Sequence, residues 1–105
     1  MRGDIHRLKA PKGQMGHEQR GARYAVVLQS DYLPLSTVLV APTSTSCTPT
    51  TFRPPIQCGS ETTWVMVEQT AAVDVETRLG EMVGRVTLAE MQAIEGALQS
   101  VLGLD

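Results

Sequence analysis

Apolar positions fall in short runs along most of this chain and change period only near its end. The strongest run, Tyr24-Ala25-Val26-Val27-Leu28, is continuous rather than alternating. It predicts a strand over 23–30 buried on both faces. Thr37-Val38-Leu39-Val40-Ala41-Pro42 predicts the next strand, over 37–42, ended by Pro42 because proline cannot donate to a ladder. Asp31 to Ser36 turns the chain between them. A first strand over 2–8 carries Ile5 and Leu8. A later one over 63–69 carries Trp64, which the pattern assigns to the core or a subunit interface, and ends at Glu68-Gln69. Between 70 and 86, Val73, Val75, Leu79, Met82, Val83 and Val86 predict short strands with a turn at Gly80 or Gly84, and allow a helical turn near 75–79. The helical period appears last. Leu88, Met91, Ile94, Leu98 and Val101 form one stripe over a helix at 87–102. Thr87 and Glu90 fit a capping box at its start, and Gly103 supplies the stop.

Two stretches lack either period. Residues 9–22 are punctuated by Pro11, Gly13, Gly16 and Gly21, which predicts a loop; loops this long in a small domain are commonly functional or disordered. Residues 44–63 are rich in Ser and Thr and interrupted by Pro49, Pro54 and Pro55. They predict a surface excursion with one short edge strand near Phe52–Cys58. In a functional version this excursion is a groove wall that orders on a ligand, at a cost in conformational entropy. Phe52 offers a ring for base stacking, although a lone Phe is more often a packing residue.

Composition narrows the class. At 105 residues the chain is one domain with a modest core. No stretch approaches the roughly 18 apolar residues of a membrane helix, and the charged N-terminus lacks an apolar run, so the expectation is a cytoplasmic protein without a signal peptide. Cys47 and Cys58 are expected to be reduced thiols; a zinc site needs further ligands, and His6 and His17 do not supply them at ligand spacing. The net charge of −2 argues against a general DNA-binding protein. Its distribution is uneven, with +4 over residues 1–23 and −6 over 24–105. A basic N-terminal portion on an acidic body suggests one phosphate-facing surface.

Chemistry concentrates where the loop meets the strongest strand. Glu18-Gln19-Arg20-Gly21-Ala22-Arg23 feeds directly into Tyr24–Leu28, which places Arg23 at the mouth of a sheet. An arginine there is ordinarily a solvated surface charge. The strand over 37–42 is followed by Thr43, however, and neighbouring strands ending in Arg and Thr can converge on one anion.

The ordered set of these pieces resembles the MazF/PemK family of toxin endoribonucleases, the toxin half of toxin–antitoxin pairs. The matching segments are Arg2-Gly3-Asp4-Ile5, Glu18 to Arg23 with Val26-Val27-Leu28, Val40-Ala41-Pro42-Thr43, Trp64 to Gln69, Val73-Asp74, Arg78-Leu79 and the C-terminal helix. The resemblance implies a mainly β fold with a C-terminal helix, a small SH3-like barrel that forms a homodimer. It implies cleavage of single-stranded RNA without metal or other cofactor, by attack of a ribose 2′-OH on its own adjacent phosphate, and an antitoxin peptide that occupies the same groove. Arg23 and Thr43 are the positions that match the family's catalytic residues, with Glu18 as an alternative base. Lys12, His17, Gln19, Arg20 and Gln69 are the expected RNA contacts. A guanidinium matches two phosphate oxygens with its planar fork of donors, but holds its proton too tightly to be a good base in water.

Three departures bear on which RNA is read. Tyr24 stands where the family usually has Pro, Ala71-Ala72 where a basic residue is common, and the loop from Pro11 to His17 is slightly long. Two other readings compete. A gyrase-poisoning toxin like CcdB depends on a tryptophan near its C-terminus, whereas this chain ends Val101-Leu102-Gly103-Leu104-Asp105. An SH3-like peptide-binding module needs an aromatic-lined groove, and the aromatic supply is Tyr24, Tyr32, Phe52 and Trp64.

Overall fold

The computed structural model describes residues 1–10 and 23–105. Among the described residues, seven strands and two helices follow one another as β1 (Asp4–Leu8), β2 (Tyr24–Val27), β3 (Thr37–Ser44), β4 (Pro55–Cys58), β5 (Glu61–Val65), a 3-10 turn at Val67–Gln69, β6 (Ala71–Asp74), α1 (Val75–Arg78), β7 (Leu79–Arg85) and α2 (Leu88–Leu102). The strands lie in the order β4-β5-β3-β2-β1-β7, with β6 also paired to β3. All pairings are antiparallel. The sheet curls into a half-barrel around α2.

β3 is the long central strand, and it changes partners along its length. One edge pairs with β2 through Val40, Ala41 and Pro42. The other pairs with β6 from Thr37 to Val40 and with β5 at Thr43 and Ser44. The expected stop at Pro42 is therefore corrected. The proline sits at the changeover, where its carbonyl accepts from Met66 N at 2.8 Å, and the strand runs on to Ser44.

Alternation separates two apolar clusters. Ile5, Val26, Ala41, Ile56 and Val65 face α2 and pack on Met91, Ile94 and Ala97. Ala25, Val27, Val40 and Val73, with Leu8, Val38 and Leu79, form a smaller cluster on the other face of the sheet. The continuous run in β2 feeds both, which is why it carries no polar alternation. A hollow of about 210 Å³ lies beside the second cluster, lined by Leu33, Leu35, Val38, Val75 and Leu79 among others.

Four further expectations change. The excursion at 44–63 contains a hairpin, β4 and β5, closed at Gly59-Ser60 with Cys58 opposite Glu61. Gly59 takes φ 65°, the left-handed region such tight turns need. The strand predicted over 63–69 ends at Val65, and Glu68-Gln69 lie in the 3-10 turn. In 70–86 the helical turn allowed near 75–79 is present as α1, capped by Asp74, whose carboxylate accepts from Thr77 N at 2.8 Å, whereas Gly80 and Gly84 lie inside β7 and make no turn. Finally, α2 has the predicted capping box at Thr87 and Glu90 and a left-handed Gly103, but its buried stripe is Met91, Ile94 and Ala97 with Leu98. Leu88 is 76% exposed and Val101 40%, because the sheet covers only the middle of the helix.

Candidate functional site

Arg23 stands immediately before β2 and is partly exposed. Its backbone is fixed: Leu8 N donates to its carbonyl at 2.7 Å, one step beyond the Arg7–Tyr24 pair of β1 and β2. Tyr24 packs against the main cluster, and the Arg7 guanidinium lies 5.5 Å from the centre of its ring. The guanidinium-bearing residue is thus held on a rigid sheet end.

The pairing of β3 decides where its hydroxyls stand. Ala25 pairs with Pro42, Val26 with Ala41 and Val27 with Val40. The ladder between β2 and β3 ends there: Arg23 precedes β2, and Thr43 and Ser44 pair with β5. Side chains alternate between faces. Thr43 shares the α2 face with Ala41, is 7% exposed, and pairs across β5 with buried Val65. Ser44 is on the opposite face, partly exposed, and pairs with Trp64. The outer row across β3 and β5 therefore reads Ser44, Trp64, with Thr43 turned toward the core. Arg23 precedes β2 and Thr43 lies one residue beyond the last β2–β3 pair, so the two stand at adjoining strand ends.

Ser44 also starts a pinned loop. Its Oγ accepts from Ser46 N at 3.1 Å. Farther along, Arg53 donates from Nε and Nη2 to Glu68 Oε2 at 3.0 and 2.6 Å, and from Nη1 to Thr48 O at 3.0 Å. One guanidinium thereby ties the loop's middle and its end to the 3-10 turn after β5. The hydrogen bond from Arg53 holds the Glu68 carboxyl below the usual carboxylate range, and the same bond raises Arg53 further. Gln69, beside Glu68, is exposed, and its side chain hydrogen-bonds the Glu68 carboxylate.

Lys12, His17, Glu18, Gln19 and Arg20 lie outside the described residues. Phe52 is not on the outer row; it packs against the main cluster and lines a separate hollow of about 640 Å³ with Glu68, Gly96, Ala97 and Val101. Cys47 and Cys58 are free and half-buried, and burial pushes the Cys58 thiol up. Among the described residues no three His, Cys, Asp or Glu side chains stand close enough to hold a metal ion, and no helix is long and apolar enough to cross a membrane.

Known proteins place this arrangement. The family described as "PemK-like, MazF-like toxin of type II toxin-antitoxin system" matches residues 1–102. A candidate toxin of Mycobacterium tuberculosis, Rv3098A, is 36% identical over 104 residues, covering 99% of this chain and 98% of that protein. Among solved structures, an endoribonuclease in complex with its cognate antitoxin from a mycobacterial species superposes with a TM-score of 0.80 at 22% identity, over 100% of this chain and 96% of the other. The Mycobacterium tuberculosis toxin MazF-mt6 superposes with a TM-score of 0.78 at 21% identity, over 97% and 98%.

Proposed function

From the premise that the chain belongs to the PemK-like, MazF-like toxin family of type II toxin–antitoxin systems, we propose that it is a sequence-specific endoribonuclease that cuts single-stranded RNA and so blocks translation and growth. The observation that carries this reading is Arg23, fixed at the start of β2 beside the polar end of β3. A planar fork of donors there suits two non-bridging phosphate oxygens.

The substrate supplies its own nucleophile. The ribose 2′-OH loses its proton and attacks the adjacent phosphorus, the P–O5′ bond breaks, and the leaving oxygen takes up a proton. The products are a 2′,3′-cyclic phosphate and a 5′-hydroxyl. Arg23 stabilises the charge that builds on the phosphoryl oxygens, and preorganised donors of this kind typically contribute about 10²–10³ each in rate. A hydroxyl at the end of β3 adds a second donor. Thr43 is the family-matched position; Ser44, next to it on the outer face, is the alternative. Glu18 or His17 serves as base, and Lys12, Gln19, Arg20 and Gln69 contact the RNA.

The active form is a homodimer in the cytoplasm, with the second apolar face and its 210 Å³ hollow covered by the partner. An antitoxin peptide occupies the RNA groove and neutralises the toxin. Arg23→Ala is expected to abolish cleavage of a long single-stranded RNA while leaving thermal unfolding unchanged. RNA carrying 2′-deoxyribose at the cut position is expected to resist. Cleavage of that RNA at the normal rate would overturn the internal-attack mechanism.

A further inference from the structure

Trp64 is the only tryptophan in the chain, and neither apolar cluster includes it. Its neighbours Thr63 and Val65 are buried, at 3% and 0% exposure, so alternation along β5 turns the indole to the outer face. Directly opposite it on β3 is Ser44, and on its other side exposed Pro55 of β4. Arg23 stands just before β2, the strand that neighbours β3 on the side away from β5. The same outer face of the hairpin continues into Gln57, whose amide donates to Thr62 Oγ1 at 2.8 Å. A partly exposed aromatic ring is thus anchored on a paired strand opposite a hydroxyl, with a guanidinium at the start of the next strand but one.

We propose that Trp64 is a stacking platform for a nucleobase of single-stranded RNA whose backbone phosphate sits at Arg23 and Ser44. The inference rests on the RNA-cleavage reading above and adds the base-binding part of that site. Every base has a π-face, and an aromatic side chain beside a phosphate contact is how single-stranded nucleic acid is gripped without a fixed sequence. Trp64 is partly exposed, so part of its ring is covered by the fold and part is open to a base. Trp64 therefore sets affinity, while edge contacts such as Gln69 set the choice of base.

The single tryptophan makes the test direct. Full-length protein is titrated with a short mixed-sequence RNA, 2′-O-methylated throughout so that it cannot be cut, and with the same sugar–phosphate chain lacking bases. Intrinsic fluorescence is expected to be quenched saturably by the first and unchanged by the second. Trp64→Phe retains a ring and is expected to bind within a few-fold of wild type. Trp64→Leu is expected to weaken binding by about tenfold or more, the usual consequence of losing one stacked base. Its effect on cleavage falls on KM, with kcat at saturating RNA near wild type. Binding without quenching, or Trp64→Leu binding as tightly as wild type in a normally folded protein, overturns the stacking role while leaving RNA cleavage intact. Saturable quenching without cleavage of unmodified RNA leaves the platform standing and overturns the nuclease. Absence of any RNA binding overturns both.

Discussion

Replacing Ser44 and Thr43 separately discriminates between two hydroxyls one residue apart. Ser44→Ala removes an oxygen from the outer row at the end of β3. If that oxygen donates to the phosphoryl group as it becomes more negative, its loss costs roughly 10²–10³ in rate, or about 3–4 kcal/mol of barrier. The native Ser44 Oγ accepts from Ser46 N at 3.1 Å, so part of any loss comes from a looser loop. That part is bounded by the worth of one partly exposed hydrogen bond, about 1 kcal/mol, too small to account for a hundredfold effect.

Thr43→Val is the matched control. Thr43 is 7% exposed and faces the core opposite Val65, and valine fills nearly the same volume there. The register predicts cleavage within about threefold of wild type and a stability change of about 1 kcal/mol or less in either direction. Single-turnover cleavage of an end-labelled RNA measures the chemical step, and thermal unfolding of each variant checks that the fold is intact. A hundredfold loss in Thr43→Val with near-normal Ser44→Ala would refute the register argument. It would show that β3 twists after Pro42 far enough to bring Thr43 round to Arg23.

Two further predictions concern the frame and its charge. A Cβ built on Gly80 meets Arg7 O at 2.9 Å, so Gly80→Ala should force β1 and β7 apart and cost about 1–3 kcal/mol; a Cβ on Gly96 meets nothing within 4 Å, so Gly96→Ala should raise stability by about 1 kcal/mol through helix propensity, both read by denaturant unfolding. The Glu68 carboxyl is depressed by its hydrogen bond from Arg53, so the pair's contribution is present above the ordinary carboxylate range and lost as pH falls through and below it. Wild type should therefore lose more stability on acidification than Glu68→Gln, and equal pH profiles for the two would refute that role for the pair.

The parts of this fold legible in sequence were those specified locally. The capping box at Thr87 and Glu90 and the left-handed Gly103 follow from neighbours within one helical turn, and both are present. The run at Tyr24–Leu28 announced a strand buried on both faces because no polar residue interrupts it. The hairpin at 55–65 was read only as one short edge strand, because Ser and Thr positions masked the alternation of its second strand, where Thr63 is buried without being apolar. Arg23 was legible as a residue at the mouth of a strand, and it stands immediately before β2; the candidates from Lys12 to Arg20 lie outside the described residues. That Ser44 follows Thr43 on the opposite face of β3 was not legible, since it depends on pairing with β5. Pro42 reads locally as a terminator; in the sheet it marks the point where β3 exchanges β6 for β5, as its carbonyl bond to Met66 shows. Running the strand two residues past that proline reverses the face of the last hydroxyl, which is how Ser44 and Trp64 come to share a surface that neither residue type announces alone.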